Sequence, residues 1–261
     1  MQSISIDELK NIQKEILDDV VSFCEKNKIR YYLAYGTLLG AVRHKGYIPW
    51  DDDIDIHMPR PDYEKFIELY PSKESYNRIV THELDRNYNM PFAKVFRKGT
   101  IVKELFYKQS VFGVYIDIFP LDGIKSKWQA YICGECKRFI FIKNAIINNS
   151  LTFSRKARLL ITKFLLLPLS QHFILKIVRS ISRKHKYDEC ETVCSLGSRA
   201  AVREILPRKV FDEHTTVEFE GCRYCAPKDC DKYLTALYGN YMQLPPEEKR
   251  ISSHNSNAYW L

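Results

Sequence analysis

The spacing of apolar positions changes several times along this chain, and each change predicts an element. Leu9, Ile12, Ile16, Val20 and Cys24 recur at three- to four-residue intervals, the single apolar stripe of an opening helix. Ser5 followed by Glu8 makes a capping box at its start, and Asn27 and Lys28 close it. Ile29 to Tyr35 is aromatic and β-prone, which predicts a strand running into Gly36; Gly36 to Gly46 predicts a short helix bounded by two glycines. Tyr47 to Trp50 reads as a turn. From Asp53 to Met58 acid and isoleucine alternate with the period of a strand, which Pro59 and Pro61 stop. A short helix over Asp62 to Tyr70 follows, then strands over Ile79 to Glu83, Phe92 to Arg97, Ile101 to Leu105 and Val111 to Phe119.

From Trp128 to about Tyr187 the pattern is helical, broken at Pro168. Beyond the break Phe173, Ile174, Ile177, Val178 and Ile181 fall on one helical face, and Lys176, Arg179 and Arg183 on the other. The tail predicts a strand pair around Val217 to Tyr224, a helix over Asp229 to Tyr238 and a turn at Pro245 and Pro246. Alternating helices and strands followed by a helical stretch predict an α/β (α+β) protein: a mixed sheet flanked by helices, with a helical insertion or lobe. The expected division is residues 1–125, 126–190 and 191–261.

Composition narrows the class. Hydrophobic residues at 45% and only 10 glycines in 261 residues fit a globular protein with a sizeable core, not a disordered or fibrous one. The first twenty residues have no basic start and no apolar run, and no stretch reaches the ~18 apolar residues of a spanning helix. A cytoplasmic location is therefore expected, with the eight cysteines as reduced thiols. Cys133/Cys136 and Cys222/Cys225 could supply zinc ligands, but their spacing matches no finger pattern and small buried hydrophobes are the expected reading. Net charge is +8, and twelve Lys or Arg with no acid between Lys137 and Tyr187 leave the remainder at −4. That block is either a solvated lobe or a face lying on an anionic membrane.

Asp51, Asp52, Asp53 and Asp55 put four carboxylates within five residues, and ionising them together is costly unless a cation stands between them. On one strand Asp53 and Asp55 would project from the same face and share a hard ion. The alternative is a solvated acidic turn, which the apolar Ile54 and Ile56 argue against. An EF-hand counted from Asp51 would need Gly and Glu where Ile56 and Asp62 stand. Asp117 lies among Val, Tyr, Ile and Phe, where an unpaired carboxylate would be expensive, so the same cation is its economical partner. Gly36 and Thr37 open a helix, where free backbone amides could hold phosphate. No Walker A loop, GxGxxG or GxSxG string is present.

The string YGTLLGAVRHKGYIPWDDDIDIHMPR, Tyr35 to Arg60, resembles the signature of the LicD family, whose eukaryotic relatives include fukutin and fukutin-related protein. VYIDIFPLDG at Val114 to Gly123 and YGNYMQLPPEEKR at Tyr238 to Arg250 extend the resemblance over nearly the whole chain. It implies a nucleotidyltransferase fold, with residues 1–125 as catalytic core, 126–190 as basic lobe and 191–261 completing the site. Gly36 and Thr37 would cradle donor phosphate; Asp53, Asp55 and Asp117 would hold Mg²⁺ or Mn²⁺ and act as catalytic residues. Arg43, Trp50, Lys94, Arg250 and His254 would bind substrate. Asn240 stands where many members carry an acid.

The implied reaction moves a phosphorylated alcohol, expected to be phosphocholine, from a CDP-alcohol donor such as CDP-choline to a cell-surface glycan or teichoic-acid-type precursor, releasing CMP. Glycan or lipid-linked glycan acceptors and peripheral association with the inner membrane face go with it, and nucleic acid does not. Two alternatives stand: a nucleotidyltransferase moving a nucleoside monophosphate to a small molecule, and a non-enzymatic basic protein binding nucleic acid or a membrane surface.

Overall fold

A computed structural model describes residues 1–70, 75–104, 112–146, 152–198, 201–250 and 256–261. In chain order its elements are β1 (Gln2–Ser3), α1 (Ile6–Asn27), β2 (Tyr32–Leu33), α2 (Tyr35–His44), β3 (Asp55–Pro59), α3 (Arg60–Leu69), β4 (Asn77–Val80), β5 (Ala93–Arg97), β6 (Thr100–Glu104) and β7 (Tyr115–Ile124). There follow α4 (Lys127–Asn144), α5 (Phe153–Leu165), α6 (Gln171–Ser182), β8 (Thr192–Cys194), β9 (Leu206–Pro207), β10 (His214–Phe219), β11 (Cys222–Pro227), α7 (Cys230–Tyr238) and β12 (Ser256–Trp260). The protein is thus a mixed α/β fold. The strand expected from Val111 begins at Tyr115; Leu105 and Val111 lie outside the described residues.

The central sheet runs β2-β3-β7-β5-β4, with β8 on the far half of β7 and β9 beside β8. Only β3 and β7 pair in parallel; the other pairs of this sheet are antiparallel. Ile54, Ile56, Met58, Ile116 and Ile118 are fully buried, so apolar residues alternate with Asp55, His57 and Asp117 on the two strands. The N-terminal helix forms as its pattern predicts: Ser5 caps it by accepting from Glu8 N–H at 3.2 Å, and Ile12, Ile16, Val20 and Cys24 are buried.

The polar position inside that stripe, Gln13, is 4% exposed and ties α1 to the sheet. Its side-chain amide donates to the carbonyls of Asp52 at 2.9 Å and Tyr115 at 3.2 Å. The acidic segment is therefore anchored through its backbone, and its carboxylates need not do that work.

A second apolar cluster joins α4 and α6: Ala130, Cys133 and Ile140 pack with Ile174, Leu175 and Val178. Ile124, Cys194 and Leu196 belong to it, so its edges lie outside residues 126–190. Five of the eight cysteines are buried. Lys143 donates to the carbonyls of Leu166 and Leu169, both at 2.6 Å, and Arg179 and Arg183 reach Glu83 and Glu64 on the sheet side. The basic block is thus partly spent on internal contacts rather than simply solvated.

Candidate active site

The strand-to-helix turn that opens the signature is backbone-strained. Tyr35 has φ 44°, in the left-handed region that a bulky side chain seldom adopts. Its N–H donates to the Tyr233 hydroxyl at 3.1 Å, its hydroxyl donates to Glu204 at 2.6 Å, and its ring meets His57 at 4.8 Å and Phe119 at 5.2 Å, both edge-on, which holds it there. The Tyr233 hydroxyl also shares a hydrogen bond with Nε2 of His57, 3.0 Å away. Burial pushes the His57 pKa down to about 3, which keeps the imidazole neutral.

That turn sets Gly36 and Thr37 at the start of α2. The Thr37 hydroxyl accepts from Asp55 N–H at 2.8 Å, stitching the helix to β3. A Cβ added at Gly36 would lie 2.5 Å from an Asp51 carboxylate oxygen, and one at Gly40 2.4 Å from the Gly46 carbonyl. Two glycines one turn apart thus let the 46–51 segment lie against α2. The turn expected at Tyr47 to Trp50 closes there, with Asp51 N–H donating to Ile48 carbonyl at 2.8 Å.

Register then assembles the charges. Asp55 opens β3 opposite Asp117 of β7, and Asp117 stands opposite Lys94 of β5. Three strands thereby place Asp55, Asp117 and Lys94 in one row, with Lys94 ion-paired to Asp117. The Lys94 ammonium also lies 3.4 Å from the Tyr115 ring centroid. Burial raises the Asp55 pKa well above the carboxylate range; Asp53, Asp117 and Asp51 raise it further, against a smaller opposing pull from Lys94.

Other expected site residues are placed differently. Asp53 precedes β3 instead of lying in it, because the strand begins at Asp55; it is half-buried and acts on Asp55 through the field. Arg43, Trp50 and Arg250 form a separate group. Arg43 donates to the Tyr241 carbonyl at 2.6 Å and to His44 at 2.9 Å; His44 meets Trp50 edge-on, and the Arg250 guanidinium lies 5.8 Å from the Trp50 ring centroid. His254 lies outside the described residues.

Among the described residues no three of His, Cys, Asp and Glu close around a common point as a finished metal site. The chemistry of the row nonetheless suits a hard divalent cation: the donors are all carboxylate oxygens, two face each other in register, and one is held far from its comfortable ionised state. Lys94 supplies the local positive charge.

Lys137, which the sequence reading counted only within the basic block, shares the Phe92 ring with Lys94 of this row. It is 5% exposed, donates to the Gly197 carbonyl and lies 4.9 Å from the Phe92 ring centroid. Burial pushes its pKa down to about 8, with the fields of Glu204 and Asp117 resisting. The signal was in the sequence: Cys133, Cys136 and Ile140 surround position 137 at helical spacing, so the lysine falls on the apolar face. His57 was legible likewise, two residues beyond Asp55 on the same strand face. Glu204 and Tyr233 carried no such mark, because only the tertiary fold brings them to Tyr35.

Residues 28–173, more than half of the chain, match the family described as LicD/FKTN/FKRP, nucleotidyltransferase domain. The chain is 30% identical over 268 aligned positions, covering 100% of both proteins, to the lipopolysaccharide cholinephosphotransferase LicD of Haemophilus influenzae. An uncharacterized protein of Rickettsia prowazekii is 40% identical over 76 residues, 29% of this chain and 28% of that protein. The chain belongs to the LicD family. It is a LicD-like phosphotransferase, and the non-enzymatic alternative falls away.

Proposed function

We propose that this enzyme transfers phosphocholine from CDP-choline to a saccharide hydroxyl of lipopolysaccharide, releasing CMP. The row of Asp55, Asp117 and Lys94, in a chain 30% identical over its full length to a lipopolysaccharide cholinephosphotransferase, carries the reading. The acceptor oxygen attacks the phosphorus that bears choline, the bond from that phosphorus to the CMP oxygen breaks, and the hydroxyl proton passes to Asp117. Lys94 and Lys137 offer ammonium groups to the donor diphosphate, with Arg43, Trp50 and Arg250 bounding the donor and Gly36 and Thr37 at the phosphate-facing helix start. Asp53, Asp55 and Asp117 would hold Mg²⁺ or Mn²⁺, which neutralises charge on the leaving phosphate when bound. In this reading residues 1–125 supply the carboxylates, 126–190 supply Lys137, and 191–261 supply Glu204 and Tyr233.

The working place in this reading is the inner face of a membrane. No described helix is long and apolar enough to cross one. On α5, however, Leu160, Ile161, Phe164 and Leu165 recur at helical spacing and are 55 to 71% exposed. Arg155, Lys156 and Arg158 lie on the same helix, the combination that binds an anionic lipid surface. A teichoic-acid-type acceptor would need the same chemistry.

Purified protein with Mg²⁺ is incubated with CDP-choline, CDP-ethanolamine, CDP-glycerol or CDP-ribitol, with and without lipopolysaccharide, and products are resolved. CMP and a choline-labelled glycan are expected from CDP-choline, with turnover lost in Asp117→Asn. A nucleotide-labelled product in place of CMP would establish nucleotidyl transfer instead, and undiminished turnover in Asp117→Asn would remove the assignment of the base.

A further inference from the structure

A cleft of about 450 Å³ lies between the sheet and α6, separate from the carboxylate row. Its floor is apolar and aromatic, with Tyr63, Met90, Phe92, Leu175 and Val178, and its rim is basic. Arg60, Arg86, Lys176, Arg179 and Arg183 line it; His172, Lys176, Arg179 and Arg183 come from one face of α6 at four-, three- and four-residue steps. Among the described residues Glu83 is the one acid in the lining, and with Glu64 and Asp122, which pair with Arg183 and Arg60, three carboxylates stand against the five cations of the rim. The excess is two positive charges, which equals the dianionic limit of a phosphate monoester.

The arrangement suits a bound ester rather than a structural salt-bridge cluster. Arg60 is anchored through Nε to the buried Asp122 at 2.6 Å and lines the cleft from that fixed point. Among the described residues Arg86 and Lys176 form no ion pair, on the loop side and the α6 side respectively. His82 and His172 meet across these two sides with ring centroids 4.4 Å apart. Cations over an apolar, aromatic floor match a ligand with one charged group on a ring that has an apolar face. Phe92 is a shared wall: its ring lines the cleft and lies within 5.5 Å of the Lys94 ammonium, which holds Asp117.

We propose that this cleft binds a phosphorylated saccharide and holds the phosphate of a glycan acceptor one side chain away from the transfer site. The acceptor role rests on the reading of the reaction given above; the binding of a sugar phosphate does not. The test uses the full chain, the exposed double substitution Arg86→Ala/Lys176→Ala and a control, Lys228→Ala, on β11's side of the molecule. Calorimetry compares glucose 6-phosphate, glucose, inorganic phosphate and vesicles of phosphatidic acid, with CDP-choline titrated in parallel. Glucose 6-phosphate is expected to bind at least tenfold more tightly than inorganic phosphate or glucose, and at least tenfold more weakly to the double variant, with CDP-choline binding unchanged. Equal affinity for inorganic phosphate, no binding of glucose 6-phosphate while vesicle binding is lost in the double variant, or a double variant that binds glucose 6-phosphate like the control would each overturn the site. If CDP-choline fails to bind while glucose 6-phosphate behaves as expected, the donor assignment is wrong and the cleft stands.

Discussion

Asp55 and Asp117 face each other in register yet stand in opposite electrostatic situations. Asp117 is balanced by Lys94, whereas burial and three neighbouring carboxylates press on Asp55. Asp55→Asn should therefore raise stability in metal-free buffer, on the order of 1 kcal/mol, while abolishing transfer. Asp117→Asn strands the Lys94 ammonium in the core and should cost about 3 kcal/mol, most of which Lys94→Met in the same chain should restore. Urea denaturation of the four proteins checks this; a stabilised Asp117→Asn would mean the pair contributes nothing. Lys137 gives a pH signature. Its ammonium is present below about 8 and is lost as pH rises through that value, so kcat/KM should fall above about pH 8. Folding runs the other way. The unfolded lysine still holds its proton up to about 10.4, so the stability lost by burying this charge is recovered between about 8 and 10.4. Lys137→Arg, charged throughout, should remove the alkaline limb of activity; a limb that stays at the same pH in this variant would assign it elsewhere.

At the scale of elements, the basic amphipathic helix read from the sequence and the described helix with the longest run of exposed apolar side chains are different ones. In the pattern from Phe173 to Arg183, Ile174 and Val178 are buried against α4 with Ile177 and Ile181 beside them, Phe173 stays 52% exposed, and the basic face lines the cleft. Exposure falls on α5, so Phe164→Glu/Leu165→Glu should weaken binding to phosphatidylglycerol vesicles at least tenfold, by the loss of about 1.5–3 kcal/mol of burial per side chain. CMP release in solution should be unaffected; co-sedimentation that survives the substitution would place the membrane contact elsewhere. The same contrast shows what the sequence could and could not convey. Period and caps located α1, α2, β3, β5 and α7 within a few residues, because those signals are local. Local pattern also placed Asp55 and Asp117 on strands, but not Asp53, which the alternation carried into β3 two residues too early. An amphipathic period says that a helix has two faces, not which of them meets protein. Nor can spacing report register, and it was register that brought Lys94 to Asp117.

On the scale of the whole molecule, the site is made by every layer of the chain. Asp55 comes from β3, Lys94 from β5, Asp117 from β7, Lys137 from α4, Glu204 from the segment after β8, and Tyr233 from α7. A ligand that joins these groups binds only the folded chain, so its binding free energy appears as global stability. At ligand concentrations about 100 times Kd the gain is about 2.7 kcal/mol, or roughly 5–10 °C in Tm for a chain of this size. The crowded carboxylates order the expectation: Mg²⁺ alone should raise Tm, because it relieves the repulsion on Asp55, and CDP-choline should add more only with Mg²⁺ present. EDTA should reverse both shifts. In Asp55→Asn the repulsion is already gone, so the metal-free Tm should start higher and the Mg²⁺ increment should vanish. A Mg²⁺ increment in Asp55→Asn equal to that of the wild type would show that the ion binds away from the row, and the carboxylates would then need another account.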